Sequence, residues 1–269
     1  MLQRMKSLAE EDHPGLDFIR LAQDIFAVNG PTDISPQNIL MDIGDDTTSL
    51  KDVEYQEAQD PSVPIITKDG NGIVSSIVYK SRPTLPEFSG HPILTDFGQM
   101  RQFEGCGNSD WWMPDLYRAP EVLLGLPWSF PVDIWSIGVM TLELMEGKNL
   151  FDPVDRVNRQ YVLPLAMAQY IGYLGLPPRE MVEQSPLFST YFDADGNYIG
   201  EAPIPKTSFE EFVTTIPPGK EKDMFLRFIR KALTWDQDAR KTSFELITDE
   251  WLTLPPEEIQ GGIGIFGSS

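Results

Sequence analysis

The chain has 269 residues and carries 21 Lys and Arg against 41 Asp and Glu, which gives a formal net charge of −20. Its 41% hydrophobic and 11% aromatic residues are enough for a packed core and exclude wholesale disorder, and the length suits one large or two small domains. So large a negative charge repels phosphate backbones, which excludes a general nucleic-acid binder and fits a basic protein partner.

The scarcity of Cys and His restricts the possible chemistry. The single Cys106, with only His13 and His91, excludes an internal disulfide and a zinc site built from these residue types. The first residues, MLQRMKSLAEEDH, lack the apolar core of a signal peptide, and the chain has no run of about 18 apolar residues. We therefore expect an intracellular protein, in the cytoplasm or nucleus, with no membrane-spanning segment.

The N-terminal third gives few structural signals. In residues 14–28 the apolar positions fit a helix and a strand about equally well, so both remain open. From 42 to 92 the chain is different: acidic clusters lead into turn signals such as K-D-G-N-G at 68–72. This pattern predicts an insertion with one short strand at 73–78.

Helical patterns dominate after Trp111. Residues 131–147 begin with Pro, end with Gly and carry an apolar run between them, which predicts a helix. Residues 222–235 have one apolar stripe with basic residues opposite, and residues 242–252 are a third helix candidate. The Gly- and Pro-rich residues 255–269 predict a flexible tail.

Five short motifs occur in one order along the chain. They are D-x-x-x-x-N at 33–38, D-F-G at 96–98, A-P-E at 119–121, D-I-W-S-I-G at 133–138 and L-T-W-D-Q-D-A-R at 233–240. Each alone is weak, because an Asp and an Asn in a polar segment more often make an ordinary turn with side-chain to backbone hydrogen bonds. The ordered combination strongly favours a functional interpretation.

In this order the motifs resemble the large, C-terminal lobe of a eukaryotic protein kinase, over roughly residues 32–252. The acidic insertion and a D-A-D-G-N loop at 193–197 are similar to those of fungal SR-protein-kinase-like serine/threonine kinases. The spacing of this loop does not match that of a calcium-binding loop, so it predicts a plain turn. The resemblance implies an α+β, protein-kinase-like fold, mainly helical with a strand remnant. It assigns residues 1–31 to a remnant of the small lobe, 32–254 to the large lobe and 255–269 to the tail.

The resemblance also implies the roles of individual residues. Phosphoryl transfer needs Mg²⁺ to bridge the phosphates of ATP and a carboxylate to orient the attacking hydroxyl. Asp33 would be that catalytic carboxylate, whereas Asn38 and Asp96 would hold the metal, and through it ATP, with the hard oxygen atoms that Mg²⁺ prefers. Two further matched residues, Glu121 and Arg240, would form a buried ion pair beneath the substrate loop. Asp133 would cap the backbone of the catalytic loop.

Several positions depart from the family pattern. Pro31 and Thr32 stand where the family has His and Arg, Ser35 where its serine/threonine members have Lys, and Pro114 where they have Thr. The glycine-rich loop and the V-A-I-K strand do not occur in residues 1–31, and the hinge and following helices are missing between Pro31 and Thr32.

Two functions therefore remain open. The first is a serine/threonine kinase of basic, Arg/Ser-rich proteins. The second is a truncated, inactive chain that serves as a pseudokinase or scaffold for a basic partner.

Overall fold

The computed structural model describes residues 34–41, 48–79, 91–101 and 107–253. These residues belong to two compact units: the smaller contains residues 39–95, and the larger contains residues 34–38 and the chain from Asp96 onward. The predictions for residues 14–28, Asp33, Cys106 and the tail lie outside the described residues, as do the boundaries at 31/32 and 254/255. No helix in these four ranges combines the length and apolar character needed to cross a membrane.

The described residues of the smaller unit form one helix and two antiparallel strand pairs. Its elements are β1 Ile39–Met41, α1 Thr48–Gln59, β2 Pro64–Lys68, β3 Val74–Tyr79 and β4 Pro92–Leu94. Strand β1 pairs with β4, with Ile39 opposite Leu94, and strand β2 pairs with β3, with Ile66 opposite Ile77. Strand β4 lies directly before the D-F-G motif at 96–98, with Thr95 between them.

The insertion contains more structure than the single strand predicted at 73–78, and that prediction is corrected in two respects. The strand is β3, and it forms a hairpin with β2 around a turn in which the Asp69 carboxylate accepts the amides of Asn71 and Ile73, both at 2.9 Å. The acidic stretch also forms helix α1. Periodicity missed this helix because its described side chains are largely exposed, so no apolar face marks it.

The described part of the larger unit is rich in helices. Its helices are α2 Pro120–Leu123, α3 Pro131–Glu146, α4 Leu163–Leu174, α5 Arg179–Val182, α6 Phe188–Tyr191, α7 Phe209–Phe212, α8 Lys220–Ala232, α9 Ser243–Ile247 and α10 Glu250–Thr253; a short hairpin pairs β5 Val154–Asp155 with β6 Gln160–Tyr161. The helix-rich lobe with small sheets agrees with the α+β fold inferred from the sequence.

Helix α3 confirms the prediction for residues 131–147. It begins at Pro131, where the missing N–H costs no helical hydrogen bond, and ends before Gly147, whose φ of 64° is the left-handed conformation typical of a helix end. Its Gly138 is required by packing, because a Cβ there would lie 2.8 Å from Leu233 Cδ2. The helix therefore lies unusually close to the end of α8.

Helix α8 is displaced from its predicted bounds of 222–235. It begins two residues earlier and ends at Ala232, because Leu233 leaves the helical conformation at φ −100° and ψ 84°. The predicted apolar stripe is confirmed, with Phe225, Phe228 and Ile229 buried. Acidic residues in its first turn and basic residues in its last turn also complement the helix dipole.

The predicted helix at 242–252 is wrong as a single element and forms α9 and α10 instead. Asp249 separates them: its carboxylate accepts the amide of Trp251 at 2.9 Å and pairs with Lys231 of α8. In α9, Phe244 and Ile247 are exposed although their spacing suggested a buried face. The boundary between the two helices thus lies at the buried, ion-paired Asp249.

Candidate functional site

Asp96 follows strand β4 and begins a single turn of 3-10 helix, Phe97–Gln99. Its φ of 57° and ψ of 64° place it in the left-handed region, which is costly for a residue with a Cβ. Its Oδ1 accepts the amide of Gly98 at 3.3 Å, and a Cβ at Gly98 would lie 3.2 Å from that oxygen. The side chain is exposed. The turn therefore presents a carboxylate to solvent in a fixed orientation.

Asn38 ends the 3-10 turn Pro36–Asn38, and its backbone N–H donates to the carbonyl of the buried Ser35 at 2.9 Å. It stands directly before β1, as Asp96 stands two residues after β4. Because Ile39 is opposite Leu94 in the antiparallel ladder, chain continuity places Asn38 and Asp96 at the same end of this strand pair. The structure thus places two of the three predicted site residues at one end of this strand pair, whereas Asp33 lies outside the described residues.

The donor set of this pair suits magnesium. Asn38 and Asp96 offer an amide oxygen and a carboxylate, and Mg²⁺ in proteins is commonly held by one or two such side chains together with substrate phosphates and water. Within the described ranges, no group of three or more His, Cys, Asp or Glu could hold a metal ion by itself. The donor atoms of Asn38 and Asp96 therefore suit Mg²⁺ that is also bound by phosphate and water.

The predicted ion pair between Glu121 and Arg240 is present. Both side chains are fully buried, with two hydrogen bonds of 2.6 and 2.5 Å between the guanidinium and the carboxylate. Arg240 also donates to the carbonyl of Pro131 at 3.0 Å, at the start of α3. This one arginine therefore connects α2, the N-terminus of α3 and the segment that follows α8.

The predicted neighbourhood of Asp133 agrees with the structure. Asp133 and Ile34, the residue after Asp33 in the chain, line the same cavity of about 410 Å³ beside the N-terminus of α3. The start of α3 thus lies next to the first described residue of the predicted catalytic loop. The capping bond from Asp133 to that loop remains a prediction.

The segment of residues 107–119, between the Asp96 turn and α2, contains functional candidates that the sequence reasoning missed. Trp112 donates its indole N–H to the carbonyl of Gln99 at 3.1 Å, which connects the segment to the Asp96 turn. The hydroxyl of Tyr117 donates to Glu143 of α3, and both burial and that carboxylate raise the pKa of Tyr117. Arg118 is buried among aromatic rings. The available signal was a single Arg within the otherwise apolar L-Y-R-A-P run.

The loop at residues 193–197 is the plain turn that the sequence favoured. Asp193 Oδ1 accepts the amides of Asp195 and Asn197 at 2.9 and 2.8 Å, and Gly196 has a φ of 82°. The hydrogen bonds from the Asn197 side chain and backbone lower the pKa of Asp193. The carboxylate is thus engaged in closing its own turn.

Residues 80–252 match the family model for the protein kinase domain. The chain belongs to the protein kinase family. The matched residues include Asp96, Glu121 and Arg240, whereas Asp33 and Asn38 precede them.

Among its relatives, a serine/threonine protein kinase of Aspergillus fumigatus is 36% identical over 182 residues, which cover 66% of this chain and 45% of that protein. The dual specificity tyrosine-phosphorylation-regulated kinase 3 of Mus musculus is 29% identical over 161 residues, and the dual specificity tyrosine-phosphorylation-regulated kinase 4 of Homo sapiens is 31% identical over 143 residues. Each of these two matches covers 51% of this chain and 25% of the relative. The chain therefore spans less than half the length of these relatives.

Proposed function

We propose that this protein transfers the γ-phosphoryl group of ATP to serine or threonine hydroxyls of proteins. The observation that carries the proposal is the placement of Asn38 and the exposed Asp96 at the same end of the β1–β4 ladder, in a chain of the protein kinase family. The named serine/threonine kinase of Aspergillus fumigatus supports the same reaction class.

In this proposal each site residue has a separate task. Asn38 and Asp96 would hold Mg²⁺, which when bound supplies neutralising charge to the phosphates. The Gly98 amide keeps the Asp96 carboxylate oriented in its turn. Asp33 would orient the substrate hydroxyl and accept its proton. The Glu121–Arg240 pair contributes by connecting α2 with the N-terminus of α3.

We propose further that the substrate is basic and Arg/Ser-rich, and that the protein acts in the cytoplasm or nucleus. The net charge of −20 supports a basic substrate, since opposite charges accelerate and strengthen association. Helix α1 adds a local acidic surface, with Asp52 and Glu54 exposed. Binding of an Arg/Ser peptide should weaken between 0.1 M and 1 M salt, where the Debye length falls from about 10 Å to about 3 Å, whereas binding of a neutral peptide should change little.

A non-catalytic scaffold is the second candidate. It is favoured by Pro31, Thr32 and Ser35, which replace the His, Arg and Lys of the catalytic loop in related serine/threonine kinases. A scaffold would bind the same basic partner through the same acidic surface and would transfer no phosphoryl group.

A phosphorylation assay separates the two functions. The full chain is incubated with Mg·[γ-³²P]ATP and an Arg/Ser peptide, beside the variants Asp96→Asn and Asp195→Asn. The second is a matched control, because Asp195 is an exposed carboxylate in the 193–197 turn. We expect Asp96→Asn to reduce transfer about 100-fold or more and Asp195→Asn to leave it unchanged. Transfer that is equal in all three proteins would refute the assigned site, and peptide binding without transfer in the wild type would establish the scaffold.

A further inference from the structure

The hairpin formed by β2 and β3 has apolar side chains exposed on both of its faces. Ile65, Ile66, Ile77, Val78 and Tyr79 are each 50–64% exposed. Among the described residues, β2 and β3 pair only with each other. An isolated two-stranded hairpin is marginally stable in water and gains stability when further strands extend it. The hairpin therefore has the character of an interaction surface.

The two edges of the hairpin differ in their protection against further pairing. Strand β2 begins with Pro64, which lacks an N–H, and ends with Lys68; residues of these types discourage the addition of another strand. Strand β3, with the sequence V-S-S-I-V-Y, contains neither Pro nor a charged residue. Uncharged segments of this length and β-propensity pair readily with other strands. The open edge is therefore that of β3.

The distribution of charge favours a second copy of the chain at this edge. Residues 61–79 contain Lys68 and Asp69 as their only charged residues, so their net charge is zero in a chain of net charge −20. Two chains of this charge repel each other, but an uncharged strand places no like charges opposite each other when it pairs with itself. A partner selected for its positive charge would find no acidic side chain in β3.

Antiparallel pairing of two β3 strands also brings unlike charges closer. Because such a pair is two-fold symmetric, the tip of each hairpin, with the exposed Lys68, lies beside the base of the other. The base adjoins the acidic helix α1, since the Glu57 carboxylate accepts the backbone N–H and the hydroxyl of Ser62 at 2.6 and 2.8 Å. The Asp69 carboxylate at the tip already accepts two backbone amides of its own turn. Each copy thus directs a lysine toward the acidic helix of the other.

We propose that the edge of β3 is a homodimerisation site, at which β3 of one copy pairs antiparallel with β3 of a second copy. The product is a four-stranded sheet in the order β2–β3–β3–β2. It satisfies the edge hydrogen-bonding groups of β3 and brings apolar side chains together across the strands. Pro64 and Lys68 lie on the outer edges of this sheet, so the assembly stops at two chains.

The test is sedimentation velocity of the full chain at increasing protein concentration and at two salt concentrations. We expect a reversible monomer–dimer equilibrium that is tighter in 1 M than in 0.1 M salt, because the Debye length falls from about 10 Å to about 3 Å and the repulsion between the two chains is screened. A chain that stays monomeric in both salts, forms open-ended assemblies, or dimerises more weakly in 1 M salt would overturn the proposal.

Two matched substitutions locate the contact. Val78 of β3 and Ile65 of β2 are directly opposite each other and are 54% and 64% exposed, so Val78→Lys and Ile65→Lys add the same charge to the same face. Val78→Lys puts a lysine into each pairing strand and should raise the dimer dissociation constant about tenfold or more. Ile65→Lys, on the outer strand, should raise it about twofold or less.

Circular dichroism should show that both variants keep the helical signal of the wild type, since both side chains are exposed. Equal weakening of the dimer by the two variants would place the contact on a face of the hairpin, and no weakening by Val78→Lys would place it elsewhere in the chain. Either result would overturn the proposal.

Discussion

Helices α1 and α3 are of similar length, 12 and 16 residues, but different interactions hold them in place. Helix α3 buries Val132, Trp135 and Val139 completely, and the buried Arg240 reaches the carbonyl at its N-terminus. The described side chains of α1 are mostly exposed, and its sequence is rich in good helix formers such as Lys, Glu, Gln and Ala. The larger unit thus depends on burial, whereas α1 depends on local preference.

The same contrast separates the strands of the smaller unit from the core of the larger. In the β2–β3 hairpin, Ile65, Ile66, Ile77 and Val78 are all about half exposed or more, and the turn hydrogen bonds of Asp69 close the hairpin. In the larger unit, aromatic rings such as Trp135, Phe151 and Tyr170 are fully buried against one another. Substitutions should therefore be costly in the larger unit and well tolerated in the hairpin.

Arg240→Ala tests this contrast most severely. It leaves the Glu121 carboxylate fully buried without its partner, and we expect the free energy of unfolding to fall by about 3–5 kcal/mol. Arg227→Ala is the control, because its pair with Glu250 is about half exposed, and it should change stability by at most about 0.5 kcal/mol. Denaturant melts of both variants measure this. Similar losses in the two variants would show that burial does not decide the energetics.

A matched pair of isoleucines compares the two units directly. Ile229 of α8 is completely buried, whereas Ile77 of β3 is 53% exposed. We expect Ile229→Ala to cost about 2–5 kcal/mol, from lost burial and the remaining cavity, and Ile77→Ala to cost about 0.5 kcal/mol or less. Thermal denaturation followed by circular dichroism checks both values. If the hairpin variant proved the more destabilising, the hairpin would be part of the buried core.

The smallest expected effect concerns the C-terminal end of α3. Glu146 accepts four hydrogen bonds of 2.6–3.0 Å from the backbone amides and hydroxyls of Thr214 and Thr215. Desolvation by burial raises the pKa of Glu146, but these hydrogen bonds outweigh it and lower the pKa to about 2. Because the folded pKa lies below the ordinary value of 4.5, the contribution to stability is complete above that value and is lost as the pH falls toward 2.

Glu146→Gln should accordingly cost about 1 kcal/mol at pH 7. The difference between variant and wild type should shrink on acidification through pH 4.5 toward 2. Melting curves at pH 7, 4 and 2.5 measure this trend. A difference that stayed constant over this range would show that the charge of Glu146 is irrelevant to its contacts.

The sequence predicted the parts of the fold whose signals are local or strongly periodic. Helix α3 has Pro at its start, Gly at its end and an apolar stripe between them, and the structure places it as expected. Helix α1 and strand β2, whose described side chains are largely exposed, were missed, whereas the equally exposed β3 was predicted beside the turn signal at 68–72. The division between α9 and α10 depends on the pairing of Asp249 with Lys231, which lies 18 residues away in the chain.

The candidate site was predictable to a similar extent. The ordered motifs led to Asn38 and Asp96, and to the buried pair of Glu121 and Arg240, since each motif is short and local. The contact between the Arg118 guanidinium and the ring of Tyr161 could not be found in this way, because Tyr161 is 43 residues beyond Arg118 and belongs to the β5–β6 hairpin. Spacing along the chain does not encode that contact.

The most direct test of the proposed metal site at Asn38 and Asp96 is to determine where a metal binds when nucleotide is present. We suggest recording the amide signals of Asn38 and Gly98 by NMR while Mn²⁺, a paramagnetic substitute for Mg²⁺, is added with a non-hydrolysable ATP analogue. We expect both signals to broaden together and Asp96→Asn to abolish the effect. Broadening confined to the acidic helix α1, or to the turn at residues 193–197, would contradict it.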